Sequence, residues 1–176
     1  MPHTQDTAQF KPLNIAILTV SDSRDEANDK SGNILVDRLK EAGHILADKR
    51  IVVDNIYQLR ATVSDWIANP DIHAVITTGG TGLTGRDVTP EALKILYDKE
   101  IEGFGEVFRM ISYKLISTST IQSRAIAGIA NGTVIFSLPG SPGACKDGWD
   151  EIIGHQLDLR TKPCNLVEMM PRFLEK

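Results

Sequence analysis

The sequence predicts an α/β domain in which a mostly parallel central sheet is covered by helices on both faces. Three observations carry this. Short apolar runs alternate with segments whose apolar residues fall at helical spacing. Each run stops at turn-forming residues. Polar or glycine-rich segments follow Val20, Val53, Thr77 and Phe136. In a parallel sheet these segments would gather at the carboxyl edge, where such folds bind ligands.

Taken in order, residues 1–12 are polar and aperiodic and read as a flexible N-terminal arm, leaving 13–176 as a single domain. Ile15–Val20 reads as a strand buried on both faces. After Ser21-Asp22-Ser23-Arg24 and an acidic stretch to Ser31, Leu35, Val36, Leu39 and Ala42 mark a helix from Gly32, with Gly43 as its stop. Ile51–Val53 is the second strand and ends at Asp54. Leu59, Val63, Trp66 and Ile67 form the second helical stripe, closed by Asn69-Pro70. Ala74–Thr77 is the third strand and runs straight into Thr78–Gly82. Thr89-Pro90-Glu91 opens a helix with a capping hydroxyl, proline at the first position and an acid in the first turn. A helix over Gly105–Leu115 and a bent, turn-rich crossing at 117–132 come next. A fourth strand, Thr133–Phe136, then leads through Ser137–Gly143 into a last helix over Ala144–Leu157.

The totals narrow the function. A length of 176 residues suits one domain with a full core, and 41% hydrophobic against 24% charged residues excludes a disordered chain. A net charge of −4 argues against nucleic acid as a partner, because phosphate neutralisation needs a basic face. A small anion can still be held by converging backbone amides. Cys145 and Cys164 form no Cys-x-x-Cys pair, and the histidines at 3, 44, 73 and 155 lack metal-ligand spacing. No apolar run approaches the ~20 residues of a membrane span, and no signal-peptide core is present. A cytoplasmic protein with no membrane partner is the expectation.

Thr77–Ala92 carries the strongest chemical signal. Gly79, Gly80, Gly82 and Gly85 let the backbone turn tightly and bring its N–H groups against a ligand, as a phosphate cradle requires. Thr78 and Thr81 flank these glycines and Arg86, Asp87 and Glu91 follow them, so Thr78, Thr81, Arg86 and Glu91 join the glycines as candidates for substrate or phosphate binding. Gly80 and Gly85 have the spacing of a P-loop, but Arg86-Asp87 stands where Lys-Ser/Thr would be required, which excludes that class of NTPase. No Gly-x-Gly-x-x-Gly follows the first strand, which excludes a dinucleotide fingerprint there. Asp54 and Asp87 both lie just past strand ends and are the candidates for holding Mg²⁺, which takes one or two carboxylates plus phosphate oxygens and water. A helix cap or turn is the competing role for Asp54. Ser21, Asp22 and Ser23 offer hydroxyls and a carboxylate to a polar ring, or could cap a helix. Pro139, Gly140 and Ser141 lie in a stiff loop that is either a binding lip or a plain turn. Phe104, Phe108 and Ile111 read as core or subunit interface.

Several segments together resemble one family. They are Val20–Arg24 (VSDSR), Ser31-Gly32, Val52–Asp54 (VVD), Thr77–Ala92 (TTGGTGLTGRDVTPEA), Gly103–Ser112, Thr118–Gly128 and Ser137–Cys145 (SLPGSPGAC). In this order they resemble the MoaB/MogA family of molybdenum cofactor biosynthesis proteins, and Leu159–Asn165 (LRTKPCN) is similar to the MoaB branch. The resemblance implies a three-layer α/β/α sandwich, assembling as a homotrimer or homohexamer, that binds molybdopterin and a nucleotide. It further implies Mg²⁺-ATP-dependent adenylylation of molybdopterin, with release of pyrophosphate. On the matching positions, Gly79, Gly80, Thr81 and Gly82 would cradle phosphate, and Asp54 and Asp87 would be the catalytic acids, acting through Mg²⁺. Ser21, Asp22 and Ser23 would line the pocket, and Pro139, Gly140 and Ser141 would form its opposite lip. The alternative is a non-catalytic molybdopterin- or nucleotide-binding protein of the same pathway.

Overall fold

The computed structural model describes residues 8–176. Six strands form one sheet: β1 (Asn14–Val20), β2 (Ile45–Val52), β3 (Ala74–Thr78), β4 (Lys99–Glu100), β5 (Ile126–Ala130) and β6 (Thr133–Leu138). Their order is β2-β1-β3-β6-β5-β4. β1 pairs in parallel with β2 and β3, and β3 with β6, while β5 runs antiparallel to both β6 and β4.

The central strands are apolar on both faces because each face meets helices. Ile15, Ile17, Ile76 and Phe136 point into one core, and Ala16, Leu18, Val75 and Ile135 into the other, as the two-residue period of a strand requires. Helices α1 (Lys30–Glu41), α2 (Ile56–Ala68), α3 (Thr89–Leu93), α4 (Glu102–Ile116) and α5 (Pro142–Gly148) divide between the faces. Leu35 and Leu39 of α1, Phe104 and Phe108 of α4 and Cys145 of α5 fill the first core. Leu59, Val63 and Trp66 of α2 and Leu93 of α3 fill the second. The three-layer α/β/α sandwich expected from the sequence is therefore present. Burial of each fully enclosed leucine is worth about 1.5–3 kcal/mol, which anchors the helices on the sheet.

Several local expectations are corrected. α1 starts at Lys30 rather than Gly32, because the buried Asp29 carboxylate caps it by accepting from the Gly32 amide at 2.9 Å. It ends where predicted, with Gly43 at φ +94°. β2 is longer than Ile51–Val53, since pairing with β1 extends it through the polar run Asp48-Lys49-Arg50. Thr89 is not a helix cap: Val88 occupies that position, and the Thr89 hydroxyl instead donates to the Gly79 carbonyl at 2.8 Å. The crossing at 117–132 contains β5, which turns into β6 through Asn131 (φ +47°) and Gly132 (φ +83°). Consecutive positive φ values in Asn-Gly are the signature of a type I′ hairpin. The last helix begins at Pro142, capped by Ser141, and continues through a five-residue π segment, Trp149–Ile153, to Gly154–Gln156. Residues 1–7 of the N-terminal arm lie outside the described residues; Phe10 packs on the His44 ring at 4.9 Å beneath the Arg160 guanidinium. Among the described residues no helix is long and apolar enough to cross a membrane.

Candidate functional site

The strand order reverses between β1 and β3, because the chain leaves β1 toward β2 on one side and later continues from β3 toward β6 on the other. Their carboxyl ends lie side by side at this switch point, where an open α/β sheet leaves a crevice. A cleft of about 930 Å³ opens there. That volume falls within the range of small-molecule sites. Ser21, Asp22, Ser23, Asp54, Gly79, Gly80, Thr81, Gly82, Asp87, Pro139, Gly140 and Ser141 all line it, although they come from four separate segments of the chain.

Two glycines of the central loop are required by space. Gly79 (φ +101°) and Gly80 (φ +69°) adopt the left-handed conformation that side chains disfavour. A Cβ on Gly79 would fall 2.2 Å from the Val20 carbonyl oxygen, and one on Gly80 2.3 Å from the Thr89 hydroxyl. The loop is tied on both sides: the Gly79 amide donates to Leu138 O at 3.0 Å, and the Thr89 amide to Gly80 O at 2.9 Å. Thr78, assigned to phosphate binding from the sequence, does not line the cleft. It is buried, and its hydroxyl donates to Pro139 O at 2.9 Å, joining the glycine loop to the opposite lip.

Asp54 is freed for the cleft by its neighbour. Asn55 caps α2 by accepting from the amides of Tyr57 and Gln58 at 3.0 and 3.1 Å, so the capping role falls to Asn55. Burial pushes the Asp54 carboxyl above the ordinary carboxylate value, and the like charges of Asp22 and Asp87 push it further the same way. Asp22 shows the opposite shift. Arg86 forks onto its carboxylate at 2.8 and 2.7 Å, which holds it below the usual range, and the Asp54 amide also donates to it at 3.1 Å. Arg86 therefore reaches the site through Asp22 and is not a cleft-lining residue itself. Asp87 is fixed by its own turn, accepting from the amide and hydroxyl of Thr84 at 2.9 and 2.7 Å. Its carboxylate also occupies the space a Cβ on Gly82 would need.

The lip is equally constrained. Gly140 O accepts from the Arg24 guanidinium at 2.8 Å and from the Ser31 hydroxyl at 2.7 Å, while the Ser141 hydroxyl caps α5. Arg24 also lines the cleft, and one arm of its guanidinium makes this contact with the lip. Glu91, a substrate- or phosphate-binding candidate in the sequence, does not line this cleft. It faces a second cavity behind the loop and pairs with Arg124.

Sequence reasoning missed the far wall. Phe108, Ile111, Leu115 and Ile116 of α4, with Ser119, Gln122, Ser123 and Asp147, complete the cleft. Phe104 and Phe108 are core residues as expected, but Phe108 and Ile111 also show an edge to the cleft. Their spacing could not reveal this, because a cleft wall and a core face carry the same helical period.

The donor set suits Mg²⁺. Asp54, Asp22 and Asp87 concentrate hard oxygen donors and mutually unfavourable charge beside the glycine loop, and a divalent cation would relieve that repulsion. Among the described residues no three His, Cys, Asp or Glu side chains converge as a closed metal cage. A cation shared with phosphate needs only one or two carboxylates.

The chain matches the family model described as "Probable molybdopterin binding domain" over residues 16–158. It is 57% identical over 162 residues to molybdenum cofactor biosynthesis protein B of Escherichia coli K12, covering 92% of this chain and 95% of that protein. It is 44% identical over 138 residues to the Bacillus subtilis protein of the same name, covering 78% and 81%. Among solved structures, one of a molybdenum cofactor biosynthesis protein B superposes with a TM-score of 0.79 at 46% identity, covering 81% of this chain and 89% of that one. The tungsten cofactor synthesizing protein MoaB of Pyrococcus furiosus gives 0.74 at 38% identity, covering 82% and 92%. The fold, the cleft at the switch point and these similarities agree: the chain belongs to the MoaB/MogA family of molybdopterin-binding domains, on its MoaB branch.

Proposed function

We propose that this protein acts in molybdenum cofactor biosynthesis, binding molybdopterin in the cleft and transferring the adenylyl group of Mg²⁺-ATP to it. A phosphate oxygen of molybdopterin would attack the α-phosphorus of ATP. The bond to the bridging oxygen of the β-phosphate breaks, and pyrophosphate leaves with the electron pair. The observation that carries this reading is the placement of Asp54 beside Gly80 and of Asp87 beside Gly82, at one glycine loop and within one cleft. The loop orients phosphate through backbone amides, Asp54 and Asp87 would hold Mg²⁺ against it, and the apolar edge of α4 gives a flat ring a water-poor surface. The bound ion would supply charge stabilisation to the phosphates during transfer.

Pyrophosphate release from molybdopterin, ATP and Mg²⁺ tests the reading. Wild type should release it above a no-enzyme control, and Asp87→Asn should abolish release. Wild type at the control level would refute catalysis. The second reading is binding without turnover, favoured by relatives whose names denote a biosynthesis protein without a reaction. Calorimetry would then show saturable pterin or nucleotide binding with ATP intact.

A further inference from the structure

We infer that Arg124 is a positioning residue that holds the phosphate loop in its binding shape, and that Glu91 acts only by holding Arg124. This rests on the reading of the cleft as the adenylylation site.

Thr81 to Asp87 is an excursion from the end of β3, and Arg124, on the segment entering β5, binds it at both ends. The Arg124 amide donates to Thr81 O at 3.0 Å. Its Nε donates to Gly82 O at 2.9 Å, and its Nη2 to Asp87 O at 3.0 Å. The remaining arm of the guanidinium pairs with the Glu91 carboxylate. That arm fixes the plane of the fork, and the pairing holds the Glu91 carboxyl below its ordinary range. Within the excursion, the Asp87 amide closes back on Thr84 O at 3.0 Å. One planar group thus fixes the separation of Gly82 and Asp87, the glycine that abuts the Asp87 carboxylate and the residue bearing it. Arg124 does not line the cleft: it stands behind the loop, in the wall shared with the second cavity, so it acts through Asp87 and the loop. Lysine could keep the charge but could not span two carbonyls and a carboxylate at once.

Hydrogen exchange of the full chain, with Arg124→Lys and Glu91→Gln, tests this directly. Amides of 82–88 should exchange about 10-fold faster in Arg124→Lys, and to a smaller extent in Glu91→Gln, while those of β1 and β3 stay unchanged. In pyrophosphate release, Arg124→Lys should raise the Mg²⁺ concentration for half-maximal rate several-fold, a shift that a general loss of stability would not produce. Unchanged exchange across 82–88 in Arg124→Lys overturns the inference, as does an unchanged Mg²⁺ requirement when wild type is active. If wild type releases no pyrophosphate, the adenylylation reading fails, and exchange still decides the clamp. If Arg124→Lys does not fold, Glu91→Gln decides it: faster exchange supports the clamp and wild-type exchange refutes it.

Discussion

Gly79→Ala puts the close approach of β1 and the glycine loop to a quantitative test. The new methyl would sit 2.2 Å from Val20 O and 3.2 Å from Val20 C, atoms of the backbone of a strand paired on both sides. The obstacle is main chain and cannot swing aside as a side-chain tip would. At φ +101° the residue also enters a region costing about 1–3 kcal/mol for anything but glycine. Displacing a packed strand end adds a similar amount, so a loss of about 2–6 kcal/mol is expected from strain and overpacking together. Gly85→Ala is the matched control in the same loop, because a Cβ there meets nothing within 4 Å, and its effect should stay within about 0.5 kcal/mol. Urea unfolding of both variants, with midpoint and slope compared to wild type, measures the difference. Equal effects at the two positions, or a loss at Gly79 below about 1 kcal/mol, would refute the steric argument.

Three further outcomes follow from other parts of the molecule. Asp29 is fully buried, accepts from the Thr19 hydroxyl at 2.7 Å and faces Lys49 at 3.2 Å, so Asp29→Ala leaves a largely enclosed ammonium without this partner. Glu26 at 2.8 Å and Asn33 at 3.1 Å still hold that ammonium, so the loss is that of the α1 cap and the Thr19 hydrogen bond, about 1–3 kcal/mol in urea unfolding, and no measurable loss would contradict the network. Asp54→Asn should raise the melting temperature at neutral pH while abolishing pyrophosphate release. The Asp54 carboxyl is raised in the folded state, so its ionised form opposes folding as pH climbs above 3.8, and the gain should vanish below that value, where both states are protonated. A gain independent of pH would point to another cause. Thiol titration of native protein should label Cys164 alone, because Cys145 is buried and its thiol pushed up to about 11, and unfolding should expose the second group.

The sequence shows the chemistry at strand ends more clearly than the walls between them. Gly79, Gly80 and Asp54 are legible because each violates a local norm, glycine inside a continuous segment or an acid after an apolar run, and Asp87 is legible from the glycine loop that precedes it. The roles of Thr78, Arg24 and Glu91 are not, since a hydroxyl or charge that supports a loop looks the same in sequence as one that binds a ligand. β5 hides because Ile126–Ala130 (IAGIA) has a glycine at its centre, where Tyr97 packs against the bare Cα, and no alternation of polar residues. Asn131-Gly132 was the available signal for that hairpin. The π segment at Trp149–Ile153 has no comparable marker in the sequence.

The register of the sheet also has a kinetic consequence. Ile15 pairs with Ala74, and Thr78 with Leu138, so the strands carrying the cleft meet only after long stretches of chain have closed into loops. Such contacts form late, because loop-closure entropy opposes them until the sheet is nearly complete. A refolding chain with only β1, α1 and β2 in place has a helical signal but no cleft. Recovery of ligand affinity should therefore lag the recovery of far-ultraviolet dichroism and coincide with the last phase of refolding.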